Sequence, residues 1–179
     1  MTREELIQAC RQWVIACTGL DGSVVYVAHQ TTAPPARPCI SVQLITPGAR
    51  KGHDGGQVTI TAGGASGTMT RTILGQRVAT VRFSAYGAGG YDLLEKMRAA
   101  EARYDLQETA ETLLISPRLD DPQEVPSPRE DGTFEPRFIA SAAVGYVATS
   151  VEDVTPVDTA TGSGEAGDDF VFNTTHDLT

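Results

Sequence analysis

The sequence predicts an α+β domain: a mixed or mainly antiparallel sheet with two helices packed on one face, a long β-hairpin and an extended C-terminal arm. Three observations carry this. Apolar residues recur at helical spacing near the N-terminus and again around residues 93–104. They alternate with polar ones over residues 77–86 and 138–149. After Ser150 the composition turns to Gly, Thr, Asp and Ser.

Thr2 and Glu5 have the spacing of a capping box, in which each side chain bonds the other residue's backbone N–H. Leu6, Cys10, Trp13, Val14 and Cys17 then form one apolar helix face, and Gly19 provides a stop. Val24 to Ala28 is rich in β-branched and aromatic residues and reads as a short strand. Residues 29–38 hold three prolines, which remove backbone donors and keep the connection extended. Cys39 to Ile45 is a second strand with Ile40, Val42 and Leu44 on one side.

Residues 46–75 are rich in Gly, Thr and Ser. Within them Gln57–Thr61 and Thr68–Ile73 flank a Gly-rich turn and predict a polar hairpin, too poor in apolar surface to stand alone. Ala79, Val81, Phe83 and Ala85 mark the inward face of the clearest strand, Arg77–Tyr86. Gly87–Gly90 turns into a second helix with a buried face of Leu93, Leu94, Met97, Ala100 and Tyr104. Glu108–Thr112 adds a short helical turn and Leu113–Ser116 a short strand. Residues 117–137 hold five prolines and read as an irregular loop. Phe138, Ala140, Ala142, Val144 and Tyr146 give the last strand its apolar face. The expected division is a body over 1–150 and an acidic arm over 151–179.

Charge narrows the function. The chain has 14 Lys and Arg against 23 Asp and Glu, a formal −9, and the charge is unevenly placed. All the bases lie between Arg3 and Arg137, while seven acids and no base follow Ser150. The body, with sixteen acids against fourteen bases, is near neutral at −2. Sequence-independent nucleic-acid binding calls for a basic footprint that these totals do not supply. Three cysteines without a CxxC pair make a disulfide framework improbable and point to a reducing cytoplasm. The polar, acidic N-terminus is unlike a signal peptide, and no apolar run reaches bilayer length, so no membrane partner is expected.

Motifs for chemistry are weak. Gly87-Ala-Gly89-Gly90-Tyr-Asp92 follows a strand and opens a helix, but Asp92 stands where the dinucleotide fingerprint needs its third glycine, and no Gly-Lys-Ser/Thr follows. It reads as a flexible turn. His29, His53 and His176 have no partner at ligand spacing for zinc. Cys10 and Cys17 share the Trp13 face and read as core fillers, while Cys39 with His29 is a remote nucleophile pairing. No cofactor and no metal are expected, and no catalytic residue is assigned. Arg137 is read as a buried ion-pair partner, a contact between subunits or a surface charge. Phe170, Val171 and Phe172 are the anchors by which the arm would dock on a neighbouring subunit. The expected partner contacts are Gln57, Thr59, Thr70 and Arg71 of the hairpin, Arg137, and Phe170 and Phe172 of the arm.

Three stretches in order carry a resemblance. They are Trp13 with Val25-Tyr26-Val27-Ala28-His29-Gln30, Pro35-Ala36-Arg37-Pro38 and Ile40; then Gly75-Gln76-Arg77 with Thr80 through Gly87; then Phe134-Glu135-Pro136-Arg137 with Gly145-Tyr146. Over roughly residues 5–150 the sequence resembles the bacteriophage neck and tail-terminator proteins. The 46–75 hairpin and the acidic arm depart from that pattern. The resemblance implies a structural virion protein, not an enzyme. It implies a six-membered ring at the head-proximal end of the tail, which ends tail-tube polymerisation and joins the tail to the head connector. The implied partners are other copies of the chain, the tail tube protein, the connector or stopper protein and, as a further candidate, the sheath protein. The genome would pass through the ring without specific binding. Assembly would occur in the host cytoplasm. The competing readings are another neck component, such as a head-completion or stopper protein, and a small cytoplasmic ligand-binding domain or enzyme.

Overall fold

The computed structural model describes residues 1–29, 35–51, 57–62, 69–128 and 134–154. By internal contacts the chain divides into two compact units: Met1–Gln57 with Leu74–Thr149, and Val58–Ile73 with Ser150–Thr179.

In the first unit, helix α1 (Arg3–Thr18) begins with the capping box that the sequence predicts. Glu5 N–H donates to Thr2 Oγ1 at 3.3 Å, and Thr2 N–H donates to Glu5 Oε2 at 2.6 Å. The helix ends on Gly19 at φ 70°, a left-handed conformation that costs glycine little. Its buried stripe (Leu6, Cys10, Trp13, Val14, Cys17) is the one read from the spacing. Arg11 ties the helix to the next element, with its Nε donating to Val25 O at 2.6 Å and its Nη2 to Gly22 O.

Strand β1 (Val25–Val27) lies parallel to β2 (Cys39–Arg50), with Val25 opposite Ile40. Strand β2 runs antiparallel to β4 (Met69–Tyr86), from Cys39 opposite Tyr86 to Arg50 opposite Arg77. Register shifts fall between Leu44 and Ala49. These bulges carry β2 five residues beyond the end expected at Ile45. Strand β3 (Gln57–Ala62) pairs with β4, as a hairpin should. The hairpin strand and the central strand, expected to be separate, are one 18-residue strand. Its ladder continues through Gly75, and pairing outweighs the low strand propensity of glycine.

Helix α2 (Gly90–Ala100) buries Leu93, Leu94, Met97 and Ala100 as expected. Tyr104, expected on that face, is instead 81% exposed. It opens a third helix, α3 (Tyr104–Thr112), where only a short turn was anticipated. Leu106 and Ala110, four residues apart, are enough to seat it on the core. The 117–137 stretch is more regular than a loop. It contributes to β5 (Ile115–Leu119), β6 (Gln123–Glu124), β7 (Ser127–Pro128) and β8 (Phe134–Glu135). Strand β9 (Arg137–Val154) pairs antiparallel with β5 and β6, and β7 pairs with β8 in a small second sheet.

The strand order is β1-β2-β4-β9-β5, so β1 and β5 form the edges of that path. Pro117, opposite Val144, is tolerated because β5 is an edge strand. All three helices pack on one face, over Ile40, Val42, Ala79, Val81, Phe83, Ala85, Ala140, Ala142 and Val144. The Trp13 and Phe83 rings meet at 6.2 Å between centroids.

In the second unit, the described residues are the β3 residues from Val58, the first five residues of β4, and the end of β9. Arg71 pairs with Glu152 at 3.4 Å. Strand β9 runs four residues past Ser150, where the arm was expected to start.

Candidate functional site

The helix-free face of the sheet in the first unit carries a concentrated polar cluster. Strand alternation and register build it. Cys39, Ser41 and Gln43 of β2 lie opposite Tyr86, Ser84 and Arg82 of β4, and Tyr26 of β1 lies opposite Ser41. On a solvent-facing side these residues would be exposed, yet Ser41 and Ser84 are 5% and 2% exposed. Tyrosine and arginine side chains cover them.

Arg37 is the centre of that cover. Its Nε donates to Glu135 Oε1 at 2.5 Å and its Nη2 to Glu135 Oε2 at 3.0 Å, the two-point geometry that guanidinium and carboxylate favour. Nη1 reaches Pro35 O at 3.2 Å and Cys39 Sγ at 3.0 Å. Bonding to Glu135 raises the Arg37 pKa, so its charge is fixed. The guanidinium also lies 5.0 Å from the Tyr86 ring centroid, within cation–π range. Glu135 is a buried carboxylate with exposure of only 8%.

Arg137 approaches the same ring at 5.3 Å and donates from Nη2 to Ser84 Oγ at 3.2 Å. It is therefore half-buried over the cluster. Among the described residues it has no carboxylate partner, so the ion-pair partner on this stretch is Glu135, two residues earlier. Arg82 also has no carboxylate partner among the described residues. Among the described residues, the Nε atoms of Arg82 and Arg137 are both buried without a hydrogen-bond acceptor. Beside Arg137 is a cavity of about 200 Å³ lined by Tyr26, Ala28, His29, Ser41, Gln43, Ser84, Tyr86 and Arg137. Burial is the main cause that raises the Tyr26 phenol, and its hydrogen bond to Ser41 opposes the shift. His29, at φ 65°, bonds Gln43 through Nε2 at 2.8 Å and has no described contact with Cys39. The arrangement can hold an anion by charge-assisted hydrogen bonds.

The glycine turn has a packing role. At Gly87 (φ 91°) a Cβ would sit 3.1 Å from Arg37 Cβ, and at Gly90 it would sit 2.9 Å from Phe138 Cδ2. These close approaches account for two of the glycines without a bound phosphate. Burial pushes the Cys10 and Cys17 thiols up to about 12, which keeps them protonated at neutral pH and fits their reading as core fillers. Cys39 is raised for the same reason.

A second surface lies by edge strand β5. A groove of about 440 Å³ is lined by Val78, Leu114, Tyr146 and Val147, with Lys51 and Arg77 also on its lining. Leu114 is 70% exposed and adopts φ 57°, the left-handed region a branched side chain rarely visits.

Of the expected contact residues, only Arg137 belongs to the polar cluster. Gln57 and Thr59 are in β3, Thr70 and Arg71 in β4, and Arg71 is engaged by Glu152. Phe170 and Phe172 lie outside the described residues. Sequence reading missed Arg37, Arg82, Tyr86 and Glu135 as a cluster. The signal available was a Glu-Pro-Arg stretch and an Ala-Arg-Pro stretch, each charged residue beside a proline in an otherwise apolar setting.

The fold and the polar face fit a protein that works by contact. The family model described as phage neck terminator protein matches residues 4–168, so the chain belongs to that family. It is a structural protein of the bacteriophage neck. The matched range extends past Ser150, where the sequence reading placed the start of the arm. No curated protein matches the chain.

Proposed function

We propose that the chain is a ring-forming neck subunit, six to a ring, which ends tail-tube polymerisation and joins the tail to the head connector. The observation that carries this beyond the family is edge strand β5, paired only with β9 among the described residues and flanked by Leu114, Val147 and their apolar groove. An open edge beside exposed apolar side chains is a surface that a head-to-tail neighbour can cover. The near-neutral body is suited to packing against other proteins, and a mildly acidic lumen would let the genome slide through without specific binding. The partners in this reading are other copies, the tail tube, the connector or stopper and, as a further candidate, the sheath. Assembly takes place in the host cytoplasm.

The body of 1–150 forms the ring domain and residues 151–179 the arm. Gln57, Thr59, Thr70, Arg71, Arg137, Phe170 and Phe172 are proposed contacts. The chain has no catalytic role in this reading. Native mass measurement with negative-stain imaging tests it. Six-membered rings, alone or on added tail tubes, are expected, and monomers under both conditions would sink the proposal. Rings that bind the connector but leave tube length unlimited would favour the stopper reading instead.

A further inference from the structure

Two cations on the helix-free face lack a counter-ion among the described residues. Among the described residues, Arg82 and Arg137 have no carboxylate partner, and the Nε of each is buried without an acceptor. Arg37 differs, with its charge met by Glu135. A buried donor left without an acceptor keeps its full desolvation penalty, so this face is complete only when an acceptor arrives. The adjoining cavity, about 200 Å³, is lined by hydroxyl and amide side chains such as Tyr26, Ser41 and Gln43, and by no Asp or Glu. Its volume suits one carboxylate side chain and not a nucleotide.

The complementary charge lies on the chain itself. After Ser150 there are seven acids and no base, and Asp168-Asp169 directly precede Phe170-Val171-Phe172. Strand β9 begins at Arg137 and leaves the first unit at Thr149, twelve residues on. At a strand rise of ~3.3 Å per residue the chain therefore departs roughly 40 Å from the pocket. Asp168 lies nineteen residues beyond Thr149, a reach of up to roughly 60 Å, long enough to span that distance on a neighbouring copy.

We infer that the pocket at Arg137 and Tyr86, with Arg82 opposite its lining residue Gln43, seats the acidic C-terminal segment of a neighbouring copy. A carboxylate of Asp168 or Asp169 accepts from the guanidinium N–H groups, and the following aromatic residues lie against Tyr86. This inference rests on the ring reading, which supplies the neighbour.

The test mixes two full-length chains, one carrying His29→Cys at the exposed rim and the other Asp169→Cys with a mass tag, under mild oxidation. The native cysteines are buried, and the wild-type chain sets the background. A mixed disulfide between the two chains is expected. Its yield should fall about tenfold or more when Arg82→Gln and Arg137→Gln remove the charge-assisted bonds. If that variant does not fold by circular dichroism, Asp168→Asn in the tagged chain tests the same contact with the body unchanged. A ring in native mass measurement without the mixed disulfide would overturn this inference and leave the ring reading intact. An intrachain disulfide in a doubly substituted chain at dilution would overturn the neighbouring copy. Yield indifferent to the arginines would overturn the pocket. Monomers throughout would overturn the ring reading as well.

Discussion

Arg37 and Glu135 stand 98 residues apart in sequence and meet in a two-point ion pair at 2.5 and 3.0 Å. The pair links the segment entering β2 to β8, just before β9, and it holds the cover over Ser41 and Ser84. Breaking it leaves a buried carboxylate or an unmet guanidinium. Glu135→Gln should lower stability by about 1–3 kcal/mol, below the full cost for a deeply buried pair because Arg37 is partly exposed. Urea melts of the two single variants and the double variant would measure the coupling. Additive effects would mean the pair contributes nothing as a pair.

Trp13 fills the space between α1 and the sheet, against Phe83. Trp13→Ala should cost about 3–5 kcal/mol through lost burial and a residual cavity. A thermal melt within about a degree of the wild type would show that Trp13 is not part of the packed core.

Gly90 opens α2 with Phe138 against its Cα. A Cβ there meets the ring at 2.9 Å and Ala85 O at 3.3 Å. Gly90→Ala should destabilise by about 1–3 kcal/mol despite the better helix propensity of alanine. Adding Phe138→Leu should recover part of the loss. A stabilised Gly90→Ala chain would show that the turn is governed by propensity and not by packing.

The Cys10 and Cys17 thiols have an ordinary value near 9.0, and burial raises them to about 12. The unfolded chain therefore loses protons first as pH rises. Stability tied to these groups is complete below about pH 9 and declines between about 9 and 12. Denaturant midpoints across that range would report the decline, and Cys10→Ser/Cys17→Ser should flatten it. At pH 8 the native chain should react slowly with a thiol reagent and the unfolded chain quickly.

Leu114 combines exposure with a left-handed backbone. Leu114→Asn suits that conformation and removes apolar surface. It should hold or slightly raise monomer stability, by about 0.5 kcal/mol, while weakening self-association in sedimentation. Unchanged association would remove the β5 groove from the ring interface.

Local features were legible and distant ones were not. The Thr2–Glu5 box, the Gly19 stop and the alternation of Ala79 to Ala85 are written within a few residues, and each fixed its element. Helix α3 was underread because two apolar contacts, Leu106 and Ala110, seat nine mostly polar residues. The β2 and β4 extensions depend on bulged pairing, which no periodicity shows. The polar face was the largest omission. Ser41 and Ser84 look solvent-facing by alternation, yet both are buried. Tyr26 bonds Ser41 and Arg137 bonds Ser84, and these partners reach them only after the chain folds. Charge totals hid the same feature, since two arginines without a carboxylate partner among the described residues disappear inside a formal −9.

Pro117 has a consequence for how growth is limited. Edge strand β5 offers backbone groups to any strand that comes alongside, and a fully equipped edge can template its own copy into a fibre. The proline has no N–H, and the Leu119 N–H already donates to Glu101 Oε1, so rungs of that ladder are missing from the chain's own edge. A neighbour must hold on through side chains as much as through backbone, and side-chain contacts fix one orientation where backbone pairing tolerates sliding. The edge thus accepts a partner of defined geometry and resists open-ended stacking of sheets.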